Sequence, residues 1–140
     1  MALLNLTSFK KAIDAFERSY TAVDDDAIVQ TLSLTLQETL KAGIIQHFEF
    51  TYELAWKFMK RWLESNYGSG IDGVTRRELF RLATENHLID DVEQWMLFHR
   101  ARNQTSHTYD EKIASEVYGY AVQFLPVVKK LYQQLHHKND

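Results

Sequence analysis

Apolar positions recur every three or four residues along most of this chain. Leu6, Phe9, Ile13, Phe16, Tyr20 and Val23 alternate those spacings, which predicts an amphipathic helix over roughly residues 4–22 with one bundle seam. Asp24-Asp25-Asp26 should end that helix and supply N-cap carboxylates to the next. A second helical region is predicted from about 27 to 65, with Gly43 as the place for a bend. Its first half is amphipathic through Ile28, Leu32, Leu36 and Leu40. Its second half is apolar on most sides. Ile45, Phe48, Tyr52, Ala55, Met59 and Trp62 form one stripe, and Phe50, Leu54 and Phe58 another. A helix that is apolar all round belongs at the centre of a bundle or in an oligomer. One polar line remains on it, Glu49, Glu53, Lys57 and Arg61, in which Glu53 to Lys57 has the favourable ion-pair order.

GSGIDG (68–73) reads as a loop. Thr75-Arg76-Arg77-Glu78 is a capping box that opens a short helix to about Asn86. Asp90 or Asp91 caps a helix over 91–107 that turns Val92, Trp95, Met96 and His99 inward. The last helix is predicted over about 109–135, on a seam of Ile113, Val117, Ala121, Phe124, Val128, Leu131 and Leu135. Pro126 should kink it, because the carbonyl near Val122 loses its amide partner. Residues 136–140 read as a frayed tail, and His136 and His137 within it are assigned no metal. Period-two alternation of β-branched residues is absent, and five Gly and one Pro leave few turns. The fold class is all-α, an antiparallel bundle of four to five helices in a single domain over 1–140.

Composition narrows the function. With no cysteine, disulfides, thiol catalysis and thiolate metal sites are excluded. The opening MALLNLTSFKKAID carries charges too early for a signal peptide, and no apolar run approaches the ~18 residues of a membrane span. The expected location is cytoplasmic, with no membrane partner. A net charge of −3 without a long basic block argues against a general nucleic-acid coat and leaves room for a local basic site.

The richest chemistry lies in Arg102-Asn103-Gln104-Thr105-Ser106-His107-Thr108-Tyr109. The inward face of the 91–107 helix starts apolar and ends in Arg102, Asn103, Ser106 and His107. Unpaired polar groups in a core cost a few kcal/mol each, so this change of character suggests a cleft or an interface. Asn103 and His107 are four apart and share a helix face, whereas Arg102 and His107 are five apart and diverge on a straight rod. Thr108-Tyr109-Asp110-Glu111 reads as a second capping box, which would put His107 at a joint beside an anion-favouring helix N-terminus. Arg102 would then reach His107 from its own turn, or meet the matching His of a second subunit. Arg can hold a phosphate through two hydrogen bonds, His can exchange a proton near neutral pH, and Asn can orient either. These groups suffice for metal-independent RNA cleavage by an attacking 2′-OH. No cofactor is required, and no clustered metal-ligand set appears.

Alternatives stay open at the level of the residues. Arg102 could simply pair with Glu49 or Glu53 while His107 caps a helix C-terminus. Glu49, Glu53 and Lys57 could orient Arg102, but a solvated or inter-subunit ion-pair line is the commoner use of such a stripe. Tyr109 could pack its ring and wet its hydroxyl. His99 reads as part of the packed face. The Arg-x4-His spacing alone is expected by chance roughly 0.3 times in such a chain, and requiring the Tyr lowers that to roughly 0.015.

The segment Arg102 to Tyr109 resembles the R-x4-H-x-Y motif of HepT-type proteins in the HEPN superfamily. Gln46-His47-Phe48-Glu49-Phe50-Thr51-Tyr52-Glu53-Leu54-Ala55-Trp56-Lys57 is similar to the signature of the nucleotidyltransferase substrate-binding protein family. The resemblance covers nearly the whole chain. It implies a HEPN-like helical bundle that forms a homodimer with both Arg-x4-His motifs lining one cleft. It also implies an RNase toxin with an RNA substrate, neutralised by a minimal nucleotidyltransferase antitoxin that transfers AMP from ATP to the motif tyrosine. By position, Arg102 and His107 would be catalytic, Asn103 supporting, and Tyr109 the AMP acceptor; Glu49, Glu53 and Ser106 join the supporting set. The alternative is a non-enzymatic subunit that binds substrate or nucleotide for a two-component nucleotidyltransferase.

Overall fold

The computed structural model describes residues 3–24 and 26–139, the side chain of Ser69 excepted. Its helices are α1 (Thr7–Val23), α2 (Ala27–Gln30), α3 (Leu34–Tyr67), α4 (Arg76–Glu85), α5 (Val92–Asn103) and α6 (Glu111–His137), and 3-10 turns cover Gly68–Ile71 and Thr105–His107. Among the described residues there is no strand, and the all-α bundle is the one the periodicity predicts.

The helix starts follow local side-chain chemistry. Asp26 accepts from the amides of Ile28 and Val29 to open α2, Ser33 from Leu36 to open α3, and Thr75 from Glu78 to open α4. Asp91 opens α5 through the Gln94 amide. These bonds satisfy donors that a helix N-terminus leaves without intrahelical partners. Asp25, the middle residue of the predicted acidic cap, lies outside the described residues. Helix α4 ends in a Schellman arrangement, Leu88 N–H to Ala83 O at 2.9 Å and His87 N–H to Thr84 O at 3.1 Å. That motif places His87 at φ 61°, the left-handed region usually given to glycine.

Two boundaries differ from the sequence reading. The predicted 27–65 region breaks at Thr31–Ser33 rather than at Gly43, because Ser33 starts a new helix that then runs through Gly43 without interruption. This adds a helix, giving six where four to five were predicted. Residues 136–139 are not a loose tail. His136 and His137 belong to α6, His136 stacks on Tyr132, and the Asn139 side chain hydrogen-bonds both the N–H and the C=O of Leu4. Asp140 lies outside the described residues. Pro126 sits inside α6, which continues on both sides of it.

Helix α3 packs on α1 and α6, and α6 on α5 and α1. Phe124 of α6 is the hub, with ring centroids 5.0 Å from Phe98, 5.3 Å from Phe48 and 5.3 Å from Trp95. Edge-to-face pairs of this kind add about 0.5–1.5 kcal/mol beyond area burial. The core thus fixes α3, α5 and α6 against one another, and the candidate site hangs on the first two. Among the described residues no helix is long and apolar enough to cross a membrane.

Candidate functional site

Helices α3 and α5 bring Glu49 and Glu53 to Arg102. Arg102 Nε donates to Glu53 Oε1 at 2.9 Å, and its Nη2 stands 3.8 Å from Glu49 Oε1, an ion pair without a hydrogen bond. Trp56 Nε1 donates to the other oxygen of Glu53 at 3.1 Å. Both oxygens of Glu53 are therefore engaged, and the carboxylate fixes the angle at which the guanidinium leaves α5. The polar line of α3 does not form the Glu53–Lys57 pair expected from its spacing. Glu53 turns to α5 instead, while Lys57 lies over the Trp56 ring at 5.7 Å. Glu49 and Glu53 of this stripe thus meet Arg102 within the protomer, and Lys57 does not.

Behind Arg102 lies a second polar group. The Tyr52 hydroxyl and His99 Nδ1 are 2.8 Å apart, and His99 Nε2 is 3.5 Å from Asn103 Nδ2. Burial pushes the Tyr52 phenol well above its ordinary range. Burial, together with the Arg76 and Arg102 guanidiniums, lowers His99, against a smaller opposing pull from Glu53. The imidazole is thus held neutral, and a protonated Tyr52 can donate to Nδ1. His99, expected in the packed face, is half-buried and is a hydrogen-bonding member of the site rather than packing alone.

Two expectations for the 104–111 joint are corrected. The α-helical part of α5 ends at Asn103, where Gln104 N–H bonds to the carbonyls of Arg100 and Ala101, so the shared face assumed for Asn103 and His107 does not continue. Thr108 is not an N-cap. Its hydroxyl donates to Thr105 O, and Asp110 caps α6 by accepting from Lys112 and Ile113. The Asp110 carboxylate occupies the amides that had been read as an anion site beside His107. His107 is exposed, its ring 6.3 Å from that of Tyr109 at 69°. Tyr109 is 86% exposed, so it does not pack its ring into the core. Ser106 is exposed in the same turn. Among the described residues no hydrogen bond joins Arg102 to His107 or to Ser106. Within one protomer the structure gathers Arg102, Glu49, Glu53, Asn103, His99 and Tyr52, and leaves His107, Ser106 and Tyr109 on an exposed rim.

Sequence reasoning missed the roles of Trp56, Tyr52 and Arg76. The Arg76 guanidinium lies 3.5 Å from the Trp56 ring centroid, close to Glu53 and Tyr52. The Glu53–Trp56 spacing of three was the available signal, since it sets an indole N–H beside a carboxylate on one helix face. Among the described residues no group of His, Asp and Glu is arranged to hold a metal ion.

Comparison with known proteins fits this architecture. Residues 4–137 match the family described as nucleotidyltransferase substrate binding protein like. A Haemophilus influenzae protein named probable ribonuclease HepT is 35% identical over 139 residues, covering 98% of this chain and 95% of that protein. A solved H. influenzae structure superimposes with a TM-score of 0.89 at 34% identity, covering 94% of this chain and 99% of the other. That structure is described as the fold of a substrate binding domain of a nucleotidyltransferase. A Thermus thermophilus structure at 22% identity, covering 91% of this chain and 98% of its own, shares the fold with a TM-score of 0.70. With the family matched along nearly its full length, the chain belongs to the nucleotidyltransferase substrate binding proteins, in the HepT-type branch that its motif resembles.

Proposed function

We propose that this chain is a HEPN-type toxin, a metal-independent endoribonuclease whose site is completed by a second copy and silenced by a minimal nucleotidyltransferase. The carrying observation is the held guanidinium. Glu53 takes the Nε–H of Arg102 at 2.9 Å and Glu49 stands 3.8 Å from Nη2 without a hydrogen bond, so the terminal N–H groups can still donate to a phosphate. Asn103, exposed beside it, offers a further polar contact. In the dimer, His107 of one protomer meets Arg102 of its partner. The exposed apolar residues Ile28, Leu34, Leu36, Leu40 and Phe50 support a second copy. In the reaction, His107 takes the proton of the 2′-OH, the 2′-oxygen attacks phosphorus, and the bond to the 5′-oxygen breaks as that oxygen takes up a proton from solvent. The products are a 2′,3′-cyclic phosphate and a 5′-hydroxyl, with Arg102 stabilising the charge that develops.

Tyr109 is the proposed AMP acceptor. Its exposed hydroxyl attacks the α-phosphate of ATP on the partner enzyme, pyrophosphate leaves, and the phenolic proton passes to a base. The bulky anion then stands beside His107. The name of the H. influenzae relative supports the ribonuclease reading. The test is cleavage of RNA by purified wild type, R102A and H107A. Loss of at least about 100-fold in either variant is expected, from the usual size of general acid–base catalysis. Undiminished cleavage by H107A free of contaminating nuclease overturns the assignment. Intact mass after incubation with the nucleotidyltransferase and ATP tests the second half, since Y109F should cleave RNA and escape modification.

A second reading is a non-enzymatic subunit that binds substrate or nucleotide for the transferase. The Arg102–Glu53 pair favours it, because a paired guanidinium also has a purely structural use. It predicts a stable complex with the transferase and no cleavage by the chain alone.

A further inference from the structure

Arg76 is a half-buried cation that feels the Glu53 carboxylate without touching it. Its Nε is buried and has no hydrogen-bond partner, and among the described residues no carboxylate forms an ion pair with it. Burial lowers its pKa from the ordinary arginine value. The two terminal nitrogens are neither buried without a partner nor hydrogen-bonded, so each is at least partly exposed. The side chain is steadied by Trp56, whose ring centroid lies 3.5 Å from the guanidinium carbon. Trp56 is in turn locked to Glu53 at 3.1 Å, and Glu53 to Arg102 at 2.9 Å. One indole and one carboxylate thus link the two guanidiniums, and both act on Tyr52 and His99. Lys57, over the same indole at 5.7 Å, adds a third positive charge. With Glu49 and Glu53 in the same cluster, the site keeps a net positive charge in a chain of net charge −3.

A desolvated cation is costly unless an anion meets it. Arg102 meets such an anion directly, in Glu53 at 2.9 Å, whereas the buried Arg76 Nε meets no hydrogen-bond partner. We propose that Arg76, backed by Lys57, binds a backbone phosphate of the RNA strand next to the phosphate held by Arg102, so that the site grips two successive phosphodiesters. This rests on the ribonuclease reading for the identity of the strand, but the phosphate contact itself does not require cleavage. The Trp56–Glu53 unit acts as the spacer between the two guanidiniums. Arg76 is on this account a binding residue, and it acts on affinity rather than on the bond-breaking step.

The test uses the full chain and a short, labelled 2′-O-methyl RNA oligonucleotide, which cannot be cleaved because its 2′-oxygen is blocked. Binding is followed by fluorescence anisotropy across a salt series for wild type, R76M and R76K. Methionine keeps a long apolar stem over Trp56 and removes the charge. R76M is expected to weaken binding severalfold and to lower the slope of log affinity against log salt by about 0.7, the signature of one lost phosphate contact on a single strand. R76K is expected to keep the slope. An R76M affinity and slope equal to wild type overturn the proposal. If R76M fails to fold, the Arg76 Nε–H resonance of the wild type is followed during titration with the same oligonucleotide. A shift supports the contact, and no shift overturns it. If R76M loses the slope while wild type cleaves no natural RNA, the phosphate contact stands and the ribonuclease reading falls. ATP as a competing probe separates the sources of phosphate. An Arg76-dependent ATP affinity with no binding of the oligonucleotide overturns the strand assignment in favour of a nucleotide.

Discussion

The two halves of α3 are built from similar residues and meet different fates. Ile44, Ile45, Phe48, Tyr52, Ala55, Phe58, Met59 and Leu63 are buried in the second half. In the first half Leu34, Leu36 and Leu40 stand 72%, 52% and 37% exposed. The helix runs through their boundary without a break, but its second half is apolar on more sides. No buried residue of α3 precedes Ile44, although α6 borders the first half too, with Lys41 over the Tyr118 ring. Hydrophobic periodicity therefore reports that a face is meant to be covered, and leaves open whether this chain or another molecule covers it.

The contrast can be broken most forcefully in the buried half. Phe124→Ala removes the ring around which Phe48, Trp95 and Phe98 are arranged, and should cost about 3–5 kcal/mol in chemical denaturation. A loss below about 1 kcal/mol would mean that the core is not centred there. Within the same half, Thr51 is wholly buried and its hydroxyl has no hydrogen-bond partner. Thr51→Val keeps the shape and removes the unpaired group, and should stabilise by about 1 kcal/mol. In the exposed half, Leu36→Glu with Leu40→Glu should shift the stability of a protomer by no more than about 0.5 kcal/mol. The same pair should abolish the proposed dimer in sedimentation. A dimer that survives both charges places the subunit contact elsewhere.

The seam between α3 and α5 supplies a prediction in pH. His99 has a lowered pKa in the fold, so the unfolded chain binds its proton more readily. Its contribution is therefore fully present above the unfolded value near 6.5 and is lost as pH falls below it, towards the lower folded value. His99→Gln should flatten that acid limb of the stability profile. An unchanged limb would mean that another group is responsible.

The helices were legible in the sequence because periodicity and capping residues act locally. Thr75 and Asp91 capped where their side chains predicted. The 104–111 joint was misread because Thr108 and Asp110 are both competent caps two residues apart, and only the packing of α6 selects Asp110. The candidate site was legible in part. Arg102 was found by its motif, and Glu49 and Glu53 were named as its possible partners. The Arg76–Trp56 stack was not, because it joins residues twenty positions apart on two helices and no spacing rule reaches that far. The place of Arg102 relative to His107 is likewise outside what one protomer's sequence encodes, if the two belong to different copies.

The clasp between Leu4 and Asn139 has a topological consequence. A single amide side chain pairs with both backbone polar groups of Leu4, as a neighbouring strand would, so residues 135 positions apart are held side by side. The bundle is in that sense a ring closed by two hydrogen bonds. A circular permutant that joins this pair through a short linker and opens the chain in the 68–73 turn should keep the aromatic hub and the Arg102 pocket, since neither depends on where the polymer is cut.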